Sequence, residues 1–208
     1  MRNLVNWLIG LTLLCFAASC SNDEPTPAEL WKARNEAAFH QVYTEAQAAI
    51  AAGSTQWRII KNYATTLDAT EKNCIVVRID RQGTGSGCPL YTDSVRVNYQ
   101  GRLIPTLEQE KQGLPGTQFD HSGFYADSLS IFSLDYCVPT TFCVSNTVDG
   151  FTTALQHMHI GDQWRVYMPY QLGYNANATG QVPAYSLLQF DIQLLQFARK
   201  GNSLPAWR

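Results

Sequence analysis

The chain has 208 residues, 45% of them apolar and 12% aromatic, which is enough for one well-filled core and too little charge for a disordered chain. Net charge is −2, and the 15 lysine and arginine residues are scattered along the sequence. No clustered positive surface follows from such a pattern, so nucleic acid is excluded as a partner.

The first element is a segment of a different kind. Arg2 is basic, Leu4 to Ala18 is mostly apolar, and Ala17, Ala18 and Ser19 precede Cys20. An apolar run of about 15 residues falls short of the roughly 20 that a spanning helix needs, and its order of basic, apolar and small residues predicts a secretory signal peptide over 1–19. The ending Ala-Ala-Ser-Cys resembles a bacterial lipobox, which implies cleavage before Cys20 and diacylation of its thiol. Several acyl chains hold a protein on a bilayer where one does not. Residues 20–25 then read as a polar, acidic tether, similar to the surface-export signal of Bacteroidetes lipoproteins. The expected location is the bacterial cell envelope, lipid-anchored through Cys20 to the outer membrane, on its periplasmic or surface face.

Thr26-Pro27-Ala28-Glu29 has capping-box spacing with proline at the first helical position, so a helix starts here. No glycine or proline follows until Gly53, and Trp31, Ala38, Val42, Ala46 and Ala49 share one face, with Arg34 and Asn35 leaving a polar gap after Trp31. This helix of about 25 residues has three uses open to it: packing on its own domain, pairing with a second copy as a homodimer, or spacing the domain from the membrane. The stretch 54–73 shows no clear period. Beyond it the pattern changes to period two, in Ile75, Val77 and Ile79, in Val95, Val97 and Tyr99, in Trp164, Val166 and Met168, and in Leu188, Phe190, Ile192 and Leu194. These are half-buried strands. Between them Phe151 to His159 reads as a short helix with Phe151, Ala154, Leu155 and Met158 on one face. A twisted antiparallel sheet wrapped around a short helix, with an N-terminal helical extension, is an α+β fold.

With Cys15 leaving in the signal and Cys20 lipidated, the body keeps Cys74, Cys88, Cys137 and Cys143. Four thiols in an exported chain fit two disulfides in any of three connectivities, and proximity favours 74 with 88 and 137 with 143. Zinc is disfavoured, because no C-x-x-C pair is present. His157 and His159 stand two apart on a helix, point to different faces, and so do not chelate one ion.

One set of segments is recognisable. Val97-Asn98-Tyr99-Gln100-Gly101, Gly116-Thr117-Gln118-Phe119-Asp120 and Val148-Asp149-Gly150-Phe151 come first. Met158-His159-Ile160-Gly161-Asp162, Pro169-Tyr170-Gln171-Leu172-Gly173-Tyr174 and Val182-Pro183-Ala184 with Leu188-Gln189-Phe190-Asp191 follow. In this order they resemble the motifs of FKBP-type peptidyl-prolyl cis-trans isomerases. The resemblance implies an FKBP-like domain over 74–208 after a helical extension over 26–73, and a substrate class of proline-containing polypeptides. Its pocket residues fall on Tyr99, Phe119, Asp120, Phe151, Tyr174 and Phe190 as the catalytic set, with Val148 and Val182 binding substrate. Such a reaction is a bond rotation, and requires no nucleophile, metal or cofactor. Phe151 stands where the family's usual tryptophan floors the pocket, and Asn175 replaces the usual glycine after Tyr174. The segment from His121 to Pro139 is longer than expected and contains no arginine, where many relatives place one to partner the aspartate. A peptide-binding domain without turnover is the alternative reading.

Overall fold

The computed structural model describes residues 24–123 and 138–206. The segment 1–19, Cys20 and Cys137 lie outside them.

Helix α1 spans Pro27–Ala51 and starts as its sequence predicts. The Thr26 hydroxyl accepts from the Glu29 N–H at 3.3 Å while the Glu29 carboxylate accepts from the Thr26 N–H at 2.8 Å, so two otherwise orphaned donors are satisfied reciprocally. It ends where Gly53 adopts φ +86° and the Gly53 and Ser54 N–H groups close back onto the carbonyls of Ile50 and Ala49, a turn for which glycine carries no Cβ penalty.

Seven strands form one sheet among the described residues: β1 (Trp57–Lys61), β2 (Cys74–Arg81), β3 (Ser94–Leu103), β4 (Gln118–His121), β5 (Thr140–Cys143), β6 (Gln163–Met168) and β7 (Leu188–Ala198). The order is β1-β2-β6-β7-β3-β4, with β5 also paired to β3, and every pairing is antiparallel. A short helix α2 (Leu107–Lys111) joins β3 to β4, and α3 (Asp149–Leu155) precedes β6. The α+β class and the antiparallel sheet are those expected from the alternating pattern. Regular helix stops at Leu155, four residues before the expected His159, but the His157 and Met158 N–H groups continue it as tight turns onto Ala154 and Leu155.

The sheet is covered on both faces. On one, Phe151, Ala154, Leu155 and Met158 pack against Ile75, Val77, Val97, Trp164, Val166, Ile192 and Leu194. On the other, α1 lays Phe39 and Ala46 over Val76 and Leu187, with Trp57, Ile59 and Tyr167 alongside. Strand β2 is central to both layers, which explains why Cys74 to Val77 is buried throughout instead of alternating. Burying Phe39 contributes about 1.5–3 kcal/mol.

Asn35 closes the polar gap in the α1 stripe. It is 1% exposed; its amide nitrogen donates to the Trp31 carbonyl and its oxygen accepts from the Leu187 N–H, both at 2.8 Å. The apolar stripe is therefore taken up by the chain's own sheet, which is the first of the three uses its sequence left open. Strand β1 also lies in the unreadable 54–73 stretch: Trp57, Ile59 and Ile60 interrupt any alternation because Ile59 faces α1 and Ile60 faces the α3 layer. On the α1 side of the sheet beyond the helix, Asp191 accepts from Arg165 at 2.7 Å and from Gln100 at 2.8 Å, and Asn98 donates to Gln193 at 3.1 Å. The polar residues that alternate with the core are thus themselves buried and paired across strands.

One of the two expected cysteine pairings, 74 with 88, is corrected. Cys74, Cys88 and Cys143 are free thiols. Cys74 opens β2 opposite Lys61, whereas Cys88 lies beside His159 and Arg199 beyond the other end of the strand, and eight residues make that strand about 20 Å long, far outside disulfide reach. The 137 to 143 pairing involves a residue outside those described, and the Cys143 sulfur contacts the Ser145 hydroxyl at 3.1 Å.

Candidate active site

The site forms where the far edge of the sheet divides. Strand β3 pairs with β5 along Ser94–Val97 and with β4 along Gln100–Arg102. Between the two, Tyr99 exchanges hydrogen bonds with Ser122 instead, its N–H donating to the Ser122 hydroxyl and its carbonyl accepting from the Ser122 N–H, both at 2.9 Å. The divided edge leaves an opening over the α3 layer, and Tyr99 stands in it.

Period two then decides which side chains enter. Tyr99 and Gly101 share a face of β3, and Gly101 pairs with Phe190 of β7 and Asp120 of β4. A Cβ on Gly101 would lie 2.6 Å from the Phe190 ring and 2.7 Å from the Phe119 ring, so only glycine lets both rings close over the strand. From below, Phe151 of α3 meets Phe190 at 5.1 Å and 89°, Tyr99 at 5.7 Å and 81°, and Phe142 at 5.9 Å and 65°. These edge-on arrangements are the ones aromatic quadrupoles favour. Phe151 itself is 4% exposed.

The result is a cavity of about 290 Å³ lined by Tyr99, Asp120, Phe142, Val148, Phe151 and Tyr174, with Phe190, Asn146 and Thr147 completing it. Six of the eight residues expected from the sequence therefore converge. Phe119 does not line the cavity but backs Phe190, with ring centroids 5.4 Å apart at 84°. Val182 is buried in the same core cluster. Sequence reasoning missed Phe142, Asn146 and Thr147. Strand β5 has only four residues, too short for a periodic signal, and follows the long segment that obscured it.

The polar handles are few. Tyr99 Oη donates to Asp120 Oδ2 at 3.0 Å, and Asp120 Oδ1 accepts from the His121 N–H at 2.8 Å. Burial pushes the Tyr99 phenol well above its ordinary value, and the Asp120 carboxylate adds to the shift. Tyr174 is raised by the same two causes in the same order, so both phenols remain donors at neutral pH. Tyr174 Oη has no hydrogen-bond partner among the described residues. Val148 is the N-cap of α3, which leaves its N–H outside the helical ladder. The turn before it is pinned by Thr147 and Thr152, whose hydroxyls lie 2.8 Å apart and both donate to the Val144 carbonyl at 3.0 Å.

The remaining candidates sit elsewhere. His157 contacts the Thr153 carbonyl at 2.8 Å, and His159 lies 3.7 Å from the Cys88 sulfur and 3.7 Å from the Asp162 carboxylate. No cluster of three metal-ligating side chains occurs among the described residues. No helix among them is long and apolar enough to cross a membrane.

A family model described as FKBP-type peptidyl-prolyl cis-trans isomerase matches residues 88–195, just over half of the chain. The chain belongs to the FKBP family. It is 33% identical over 126 residues to a macrophage infectivity potentiator of Trypanosoma cruzi, covering 60% of this chain and 54% of that one. Identity is 32% over 120 residues to the FKBP-type 22 kDa peptidyl-prolyl cis-trans isomerase of Escherichia coli K12, covering 57% and 48%. The chain spans about half the length of these curated relatives. A crystal structure of a peptidyl-prolyl cis-trans isomerase from Pseudomonas syringae superposes with a TM-score of 0.51 at 24% identity, over 79% of this chain and 96% of that one, a likeness of fold. The FKBP match begins at Cys88, so it takes in β3 to β6 and most of β7, and with them every residue that lines the aromatic cavity.

Proposed function

We propose that this FKBP domain catalyses cis-trans isomerisation of X-Pro bonds in exported polypeptides. The observation that carries the reading is the aromatic-floored cavity itself, with Phe151 beneath it and two phenols and a carboxylate at its rim. Rotation about a peptide bond costs about 18–20 kcal/mol because amide resonance is lost at the twisted geometry, which makes uncatalysed X-Pro exchange take tens to hundreds of seconds. A catalyst must bind the twisted amide more tightly than either planar form. Phe151, Tyr99 and Phe190 hold the pyrrolidine ring and exclude water, which disfavours the charge-separated resonance form of the amide. Phe119 supports Phe190, and Val182 packs behind the wall. The Val148 N–H and the Tyr174 hydroxyl donate to substrate carbonyls on either side of the proline. Asp120, with Tyr99 as its partner, sets the potential near the carbonyl that swings.

In the same reading the signal segment 1–19 is removed, Cys20 carries lipid, and residues 20–25 tether the domain to the cell envelope. Phe151→Leu and Tyr174→Phe in a protease-coupled assay on an X-Pro peptide test the catalytic role; a wild-type rate equal to buffer overturns it. Retained affinity for a proline peptide without turnover would instead establish the binding-only alternative. Cys20→Ser tests the anchor by moving the chain from the membrane to the soluble fraction.

A further inference from the structure

The loop that carries Tyr174 runs from the end of β6 at Met168 to the start of β7 at Leu188. Tyr174 lines the aromatic cavity, yet its hydroxyl makes no hydrogen bond among the described residues, so its place depends on how the loop is held. The neck of the loop is closed by two residues of left-handed backbone, Asn175 at φ +56° and Tyr185 at φ +62°, with the Tyr185 N–H donating to the Asn175 carbonyl at 2.9 Å. A tyrosine in that conformation is an outlier and persists only where its surroundings over-determine it. Ahead of the neck, the Tyr170 carbonyl accepts from the Gly173 N–H at 3.0 Å and the Asn175 N–H at 2.8 Å, which closes the turn containing Tyr174. The Tyr170 and Tyr185 rings then meet edge-on across the loop, 5.2 Å apart at 85°.

Helix α1 holds both stems of this loop. On the outgoing stem, the Tyr170 hydroxyl donates to Glu36 at 3.1 Å. On the returning stem, the Lys32 ammonium stands 5.1 Å over the Tyr185 ring, the Trp31 indole N–H donates to the Ser186 hydroxyl at 3.0 Å, and the Leu187 N–H donates to Asn35 at 2.8 Å. Ser186, 3% exposed, passes the contact on by donating to the Pro183 carbonyl at 2.7 Å, next to Val182 in the core behind the cavity. Trp31 and Asn35, and Lys32 and Glu36, are spaced four apart, so all four stand on one side of the helix. The family match begins at Cys88 and leaves α1 out, so this brace is an addition to the matched domain. We propose that Trp31, Glu36, Tyr170 and Tyr185 are positioning residues, through which α1 fixes the loop and holds the Tyr174 hydroxyl at the cavity, an inference that rests on the proposed function only for what that hydroxyl does to substrate.

Trp31→Phe combined with Glu36→Ala removes one bond from each stem and leaves Asn35, Phe39 and Ala46 to keep α1 on the sheet. In the full-length chain, kcat/KM on an X-Pro peptide should fall by roughly 5-fold or more, the order of two hydrogen bonds. Added to Tyr174→Phe, the same two changes should cost less than about 2-fold further, because the group they position is already gone; equal losses in both backgrounds would make α1 a general stabiliser and overturn the proposal. Glu36→Gln, which keeps an acceptor oxygen for Tyr170, should retain most of the rate, and a glutamine as damaging as alanine counts against the bond. The ¹H–¹³C resonances of the Tyr174 ring give a readout independent of turnover. They should shift in the Trp31→Phe, Glu36→Ala chain while those of Phe197, near the other end of β7, stay in place; unmoved Tyr174 resonances overturn the proposal whatever the rates. A wild-type chain without isomerase activity refutes the catalytic reading instead, and the resonances alone then decide whether α1 holds Tyr174.

Discussion

Replacing Phe151 with leucine probes the floor of the aromatic cavity. The ring is 4% exposed and meets Phe190, Tyr99 and Phe142 edge-on at 5.1, 5.7 and 5.9 Å. Each such pair is worth about 0.5–1.5 kcal/mol beyond the area it buries, and leucine refills most of the volume, a class of change that costs below about 1.5 kcal/mol by itself. Losing three such contacts while keeping most of the packing gives about 2–5 kcal/mol in all. In a chain of this size each kcal/mol lowers Tm by roughly 2–4 °C, so a fall of at least about 4 °C is expected. The effect on turnover should be larger than this partial destabilisation explains, since the flat face under the pyrrolidine ring is gone; a fall in kcat/KM of about 10- to 100-fold corresponds to roughly 1.4–2.7 kcal/mol of lost transition-state binding. Val76→Ala is the control. Val76 is fully buried but faces α1, so it should lower Tm and leave the kcat/KM of the folded fraction unchanged. The reasoning fails if Phe151→Leu keeps its rate, or if both variants lose rate in proportion to their loss of stability.

Three other changes have defined outcomes. Gly101→Ala places a methyl group 2.6 Å from the Phe190 ring and 2.7 Å from Phe119, and should reduce kcat/KM with a visible change in near-ultraviolet circular dichroism; an unaltered aromatic signal and rate contradict the packing described for these rings. Asn35→Ala leaves the Leu187 N–H buried without its acceptor, and chemical denaturation should show a loss of about 1–3 kcal/mol, whereas a change below about 0.5 kcal/mol argues against α1 being fixed to the sheet through this bond. Burial and the Asp120 charge raise the Tyr99 and Tyr174 phenols above 10.0, so above about pH 10 the unfolded chain releases protons that the folded chain retains. Their stabilising contribution is complete below that pH and is lost as pH rises through the elevated folded values. Denaturation free energy should therefore fall less steeply at alkaline pH in the Tyr99→Phe, Tyr174→Phe double variant than in the wild type, and equal slopes would count against it.

Much of the fold was legible wherever local chemistry sufficed. Thr26, Pro27 and Glu29 specify a helix start by satisfying backbone donors three residues away, and four strands declare themselves because one face of each meets the α3 core, while the other face is mostly polar in β3, β6 and β7 and in β2 holds Cys74 and Val76 beneath α1. The cavity was legible through motif order, since six of its lining residues lie in segments whose sequence resembles a known family. What stayed hidden depended on partners distant in the chain. Asn35 reads as a polar gap until the Leu187 N–H, 152 residues away, is brought to it. Strand β1 sends the adjacent Ile59 and Ile60 to the α1 and α3 layers and therefore lacks the alternation that marks a half-buried strand. Phe142 joins the cavity only because β3 changes partners at Tyr99, and the Cys74 to Cys88 pairing, favoured by closeness in sequence, is undone by the length of the strand between them. By itself the sequence determined element starts, strand faces and the ordered aromatic set, because these follow from spacing along the backbone. Only the tertiary structure decided which rings enclose the cavity, what α1 covers and how the Asn35 amide is satisfied, because packing and hydrogen-bond satisfaction are settled between residues that the sequence places far apart.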